Sequence, residues 1–477
     1  TSGYRETATQ GRTDDSKFST NRTSATPGAD RPSEIPRPYA AKVIPALAPV
    51  SSWGARILWW GLVAVTLIWM TLFTAGISVA VPTWMSFVLT VCGLIVAVAG
   101  ILARTPSPLR ACLAGSVFLL TAAGLFSGLA LGEPLPQLAI AVACVILSVL
   151  VSEAAGSPEF WRRSAMAVLT AVVLSGLLLG LWSTISGDKL GFYAGPLSER
   201  GLFGIQPIRG ITGHYNSLGF LAALALVVQL RSALARRGAW RSHVDGERAR
   251  WLALVAVGPV ASLVALAWSQ SRGALLAGLC GVVAALIPWR GRTGRTWLII
   301  WFLALAAIQP LPRLMSSLTG YTFHGREFPW TWAVTTWRLS PVWGSGPDAF
   351  TERQWEILRK AFPKPGWEPA HAHSALFGTV STAGTVGLIF LIVAAVSMAV
   401  VAIRARRIDN LWAVAVLTVF AVQATIEPAL GVNSAVGSFL PLICVVAVLA
   451  GSLGFLDRKD RGSPTPSVPA APEPVAG

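Results

Sequence analysis

Runs of about twenty apolar residues recur along this chain, and its basic residues gather between the runs rather than within them. A run of that length crosses a bilayer as a helix, because in hydrocarbon every backbone N–H and C=O must be bonded within its own segment. Composition agrees: 53% of the residues are hydrophobic and 13% charged, where a soluble domain carries about a quarter charged. The sequence therefore predicts an all-α integral membrane protein with about twelve transmembrane helices. They fall at about 57–76, 84–103, 110–131, 135–153, 165–185, 214–231, 251–269, 273–288, 296–310, 375–403, 411–427 and 435–456. The eighth and ninth are short, as suits tilted partners or a broken helix.

Arginines set the orientation. With the N-terminus inside, the inner loops receive Arg104 and Arg110, then Arg162 and Arg163, then a block from Arg231 to Arg250. Arg290, Arg292 and Arg295 follow, then Arg404, Arg406 and Arg407, and Arg458, Lys459 and Arg461 in the tail. The short outer loops GISVAVPT and GEPLPQ carry neither Lys nor Arg. This alternation predicts an even number of spans with both ends inside. It leaves one long extracytoplasmic loop, 311–374, between the ninth and tenth spans. Residues 1–55 and 458–477 read as disordered cytoplasmic tails around a membrane domain over 56–457. The first apolar run begins near Ile57, which does not suit a cleavable signal peptide.

The net charge of +16 belongs to those loops, so it points to the lipid bilayer as partner and not to nucleic acid. Cys92, Cys112, Cys144, Cys280 and Cys444 each lie within an apolar run, as small buried residues rather than a disulfide or zinc framework.

Polar residues that topology does not explain fall into clusters on the outer side. One is RGITGHYN, from Arg209 to Asn216; a second is SQSRGALL, a tight turn containing Arg272. A third is GREFPWTWAVTTW from Gly325, with PVWGSGP from Pro341; a fourth is HAHS from His371, with Gly384 further along the tenth span. Glu427, in TIEP, closes the eleventh span. Arginine presents a planar fork that matches phosphate oxygens, and histidine can take a proton from an attacking hydroxyl. Several arginines and a base facing a bilayer suit group transfer from a lipid-linked diphosphate. No Gly-rich phosphate loop followed by Lys is present, and no outer Asp/Glu pair forms a metal site.

Each residue also has a plainer reading. Arg272 would snorkel at the interface. His214 would cap or line the sixth span, Asn216 would bond between helices, Glu427 would pair an arginine, and Asp348 would serve a turn. His371 and His373, two apart, would diverge on a helix and form no metal pair. The tryptophans from Trp330 to Trp367 would anchor at the interface or stack on sugar rings.

Over roughly residues 165–435 the pattern resembles the O-antigen ligase and O-antigen polymerase superfamily of bacterial membrane glycosyltransferases. The resemblance rests on RGITGHYN, SRGALL, Arg326 with its downstream tryptophans, PVWGSGP, HAHS and TIEP. Arg272 with Leu276, four positions on, and His373 with Gly384, eleven positions on, fit two motifs of the ligases. Tyr215 departs from the pattern, standing where members commonly have Pro. The resemblance implies transfer of a polyprenyl-diphosphate-linked glycan to a sugar hydroxyl of a glycan or glycolipid acceptor. It places the reaction on the outer face of the bacterial cytoplasmic membrane, with no nucleotide sugar, cofactor or metal. Arg209, Arg272 and Arg326 would hold the diphosphate, and His373 would orient or deprotonate the acceptor. His214, Asn216, His371 and Glu427 would support them. A repeat-unit polymerase of a capsule or exopolysaccharide shares these motifs. A flippase or other transporter, the alternative of another class, would show charges or Gly/Pro breaks at mid-membrane in paired halves.

Overall fold

The computed structural model describes residues 158–193, 205–236, 245–289, 291–319, 326–346, 349–350, 371–406, 411–427 and 436–460, with Trp60 and Ala64. The four runs expected between 57 and 153, the tail over 1–55, and His324, Asp348 and Trp367 lie outside these residues. Among the described residues the chain is all-helical, with one isolated bridge between Phe192 and Ile208 and no strand.

The helices are α1 (Pro158–Ser186), α2 (Tyr215–Arg236), α3 (Asp245–Ser269), α4 (Arg272–Leu286) and α5 (Gly291–Ala307). They continue with α6 (Leu311–Thr319), α7 (Glu327–Leu339), α8 (Ala375–Ala405), α9 (Trp412–Ile426) and α10 (Val436–Asp460). Every apolar run expected from 165–185 onward coincides with one of them. By length and composition α1, α2 and α8 can cross a membrane, and α5 with α6, bent by 51°, makes a fourth if read as one broken span. The bend has a local cause. Pro310 cannot donate to the helical ladder and turns Gln309 away from helical geometry, while Pro312 suits the first turn of a new helix. The expected outer loop thus contains two helices, α6 and α7, and α10 runs into the segment expected to be tail.

The centre of the bundle is α2 and α9. From Trp412 to Phe420 α9 is buried on every side, and Leu218 to Ala225 of α2 are nearly as enclosed. Such helices are apolar all round because protein surrounds them. Around them α1, α3, α4, α5 and α8 turn large apolar residues outward, among them Trp182, Leu263, Leu279, Leu303 and Ile392. In lipid, apolar burial gives no drive for helices to associate, so close backbone packing and interhelical bonds hold the bundle. On α4 the series Gly273, Ala277, Gly281 is small at every fourth place. A Cβ at Gly273 would collide with Ile426, and one at Gly281 with Val419, both of α9. Polar bonds add to the packing: Gln229 of α2 donates to Thr170 Oγ1 of α1 at 2.7 Å and accepts from Ser262 of α3 at 2.8 Å. The Arg231 guanidinium donates to Ala285 O at 3.0 Å, near the carbonyl end of α4, where a cation is favoured.

One span is interrupted. Within α8 the helical backbone breaks at Gly384 (φ 60°, ψ −153°), a region open in practice to glycine alone. The turn after α7 fills the break. Ser345 N donates to Ser381 O at 2.7 Å and Gly346 N to Thr382 O at 3.1 Å, while Thr385 N donates to Pro341 O at 2.8 Å and Val386 N to Val342 O at 3.2 Å. The turn from Pro341 to Gly346 is therefore the partner that satisfies backbone groups the broken helix cannot. Gly384 packs against Gly344, which also has positive φ. Trp337 Nε1 reaches both Pro341 O and Thr385 Oγ1 at 3.1 Å. The tryptophans of α7 are thus structural. Trp330 and Trp332 are 1% and 5% exposed, packed with Phe377 and Val380 of α8, and Trp332 Nε1 donates to Ala349 O. Burial rules both out as surface anchors or sugar-stacking platforms.

Gly384→Ala is expected to destabilise the protein by about 2 kcal/mol or more, from a disallowed φ plus collision with Val342 O. Gly378→Ala, one turn after the start of α8, places its Cβ 4.0 Å from the nearest side chain and should be nearly neutral. Thermal unfolding of the two variants in detergent makes the comparison; equal midpoints would remove the special role of the break.

Candidate functional site

Three segments converge on Glu427, at the end of a fourth, α9. The residue caps α9 in an extended conformation, its N–H bonded to Gln423 O at 2.9 Å. Its Oε1 accepts from Asn216 Nδ2 of α2 at 2.7 Å and faces an Arg326 terminal nitrogen at 3.3 Å. The other Arg326 terminal nitrogen donates to Ile426 O at 3.0 Å, so one guanidinium clamps both the carboxylate and the carbonyl end of α9. On the far oxygen, Oε2, stands His373 Nδ1 at 3.7 Å, an ion-pair distance beyond hydrogen-bond range.

His371 and His373 come just before α8, which begins at Ala375 with Ser374 as its cap. The expectation that they diverge is overturned, because helix periodicity does not apply to a turn. His373 has φ 48°, its N–H donates to His371 Nδ1 at 3.2 Å, and the ring centroids are 4.1 Å apart. A non-glycine residue at positive φ stores strain, which here aims both imidazoles at one carboxylate.

The other expected residues divide. His214 caps α2: its Nδ1 accepts from Asn216 N at 3.1 Å, and its ring packs on Tyr215 and Tyr193 at 4.4 and 5.1 Å between centroids. Arg209 donates through Nε to Leu190 O at 3.3 Å, and its backbone N–H to Gly191 O at 2.9 Å. Those bonds tie it to the segment after α1 and not to Glu427. Arg272 is exposed at the first turn of α4, whose cap is Ser271. The adjacent Gly273 packs on Ile426, which puts that turn beside the cluster. Leu276, the partner expected for Arg272, is 54% exposed. Sequence reasoning missed Gln423, whose buried Oε1 finds no partner among the described residues and lies next to Gly273. Its one signal is a glutamine in an otherwise apolar span.

The electrostatics follow from this packing. Burial works against the Glu427 carboxylate, but contact with His373 and the charges of His373, Arg326 and His371 outweigh it and hold the group well below its ordinary range. Burial, then the His373, His214 and Arg326 charges, oppose protonation of His371 more than Glu427 favours it, and its pKa falls to about 3. His371 is thus a neutral acceptor beside an ionised acid. Ligand atoms of His371, His373 and Glu427 lie within 4.8 Å of one another, close enough to share a cation. Two histidines and a carboxylate are a donor set that zinc accepts, but Arg326 engages Oε1 of that carboxylate and leaves Oε2 facing His373. The arrangement favours a base held in place by an acid.

Acidification should loosen the site in a defined window. Between about pH 6.5 and about 3 the unfolded His371 binds a proton that the folded one refuses, so its contribution is complete above 6.5 and shrinks as pH falls. The Glu427 contribution persists above its ordinary 4.5 and is lost only at lower pH. Melting temperatures should drop from about pH 7 to about pH 5 in wild type, less so in His371→Gln, with Glu427→Gln keeping the slope. The same slope in His371→Gln as in wild type would refute the assignment.

No protein-family model matches the chain, and a search of curated proteins found no match.

Proposed function

We propose that this protein is a membrane glycosyltransferase of the O-antigen ligase type. It moves a glycan from a polyprenyl diphosphate to a sugar hydroxyl at the outer face of a bacterial cytoplasmic membrane. The observation that carries the reading is the pairing at Glu427: a guanidinium on one carboxylate oxygen and His373 at the other. Glu427 orients His373 and stabilises its cation once it takes the acceptor proton. The acceptor oxygen then bonds to the anomeric carbon as the carbon–oxygen bond to the lipid diphosphate breaks. Arg272, exposed on the first turn of α4, supplies positive charge to the departing diphosphate, helped by the positive end of the helix. Arg326, with both terminal nitrogens engaged, holds the carboxylate first and meets phosphate second.

The transporter reading draws support from the break in α8. Its freed backbone groups are bonded to residues 341–346 rather than left to bind a solute, so the group-transfer reading is preferred.

Two tests follow. In the twelve-span reading, cysteines at Ser242 and Ser317 react with an impermeant thiol reagent from opposite sides of the membrane; labelling from one side would break it. For the chemistry, purified protein is given a lipid-linked oligosaccharide and an acceptor in single turnover. His373→Ala should lose roughly 100-fold in transfer with donor binding intact. Arg272→Lys, which keeps charge but not the fork, should lose about 2–4 kcal/mol of transition-state stabilisation. Transfer should survive a strong chelator. Near-normal transfer in both Arg272→Lys and Arg272→Ala, or a His373→Ala defect confined to donor binding, would overturn the roles. Products extended by one glycan mark a ligase, and ladders of repeats a polymerase.

A further inference from the structure

The short helix α6 is amphipathic and reaches the start of α8 through Arg313 and Phe377. Leu311, Leu314, Met315 and Leu318 recur at helical spacing on one face and are 41%, 52%, 45% and 76% exposed. None of the residues of α6 is buried. Leu339 at the end of α7 and Val342 in the turn after it are 79% and 50% exposed. Leu303 of α5 and Ile389 of α8 are exposed apolar residues as well, at 63% and 52%.

Two cations accompany this surface. Arg313 of α6 places its guanidinium carbon 5.8 Å from the centre of the Phe377 ring, four residues beyond His373. Arg338, in the last turn of α7, is near enough for its charge to act on Arg313. Partial burial of Arg313 and the Arg338 charge both work against the Arg313 cation. Neither guanidinium meets a carboxylate among the described residues. Two like charges brought together repel, and an anion between them relieves the repulsion. A free anion would use the arginines and leave the apolar ledge idle, and a neutral lipid would do the reverse. A diphosphate attached to a long apolar chain uses both.

We propose that Arg313 and Arg338, with the apolar face of α6, form a docking ledge for the lipid-linked diphosphate, holding it at the membrane surface before it passes to the Glu427 site. The proposal rests on the transfer reading for the identity of the lipid, but its test does not depend on transfer.

Binding of a polyprenyl diphosphate is measured without acceptor, with wild-type protein in phosphatidylcholine nanodiscs. Arg313→Gln with Arg338→Gln should weaken it about tenfold, and the exposed Arg338→Gln alone by a smaller factor. Leu314→Ser with Leu318→Ser, which leaves the charges, should weaken it as well. Inorganic pyrophosphate, which leaves the apolar face idle, should bind wild type far more weakly than the lipid diphosphate does. Unchanged lipid-diphosphate affinity in the arginine variants would overturn the proposal. So would pyrophosphate binding to wild type as tightly as the lipid diphosphate, which marks a site for free anion. Full competition by phosphatidylglycerol would overturn it too, marking ordinary phospholipid as the occupant. If binding falls as expected while no glycan is ever transferred, the ledge stands and the transferase reading fails. If glycan is transferred while binding is unaltered in the variants, the transferase reading stands and the ledge fails.

Discussion

A single carboxylate holds the described half of this protein together at one end. Glu427 draws Asn216 from α2, Arg326 from the start of α7 and His373 from the start of α8 onto the last turn of α9. A largely enclosed carboxylate is tolerated only when charge and hydrogen bonds replace the water it has lost. Here both oxygens are addressed, so the arrangement is exacting. Removing any one partner leaves the others facing an under-compensated charge. The same constraint fixes His371, whose neutrality follows first from burial and then from the nearby charges of His373, His214 and Arg326.

Away from that end the helices are held by shape and by neutral polar bonds. The small residues of α4 let α9 approach until side chains would collide with any added carbon. Gln229, Gln309 and Trp301 each bond across to a neighbouring helix without placing charge in the span. Among the described residues charge is therefore concentrated at the helix ends and excluded from their middles, which separates the rigid scaffold from the charged groups it carries.

What is legible in the sequence is set by one-dimensional signals. Apolar runs mark helices, because each run must satisfy its own backbone: the run at 375–403 is α8 and that at 411–427 is α9. The residue types of the site are legible for the same reason, since a histidine, arginine or glutamate at the edge of an apolar run needs explaining. Their grouping is not. Asn216 and Glu427 are 211 positions apart, and no spacing rule reports that they touch. The histidine pair defeats the helical rule because both residues precede the helix. The tryptophans of α7 resemble surface groups because composition cannot distinguish a loop at the membrane surface from a helix packed under its neighbours.

The break in α8 changes what kind of segment 341–346 is. By position in the chain it is a connection after α7, and surface connections usually absorb insertions and deletions at small entropic cost. Its backbone, however, is bonded into the helix it crosses, in matching steps on either side of Gly384. Adding or removing one residue there would shift those steps out of phase and leave amides and carbonyls of α8 without partners inside the protein. The stretch must then vary, between related proteins or in engineered forms, by exchange of side chains at constant length, as a strand within a sheet does.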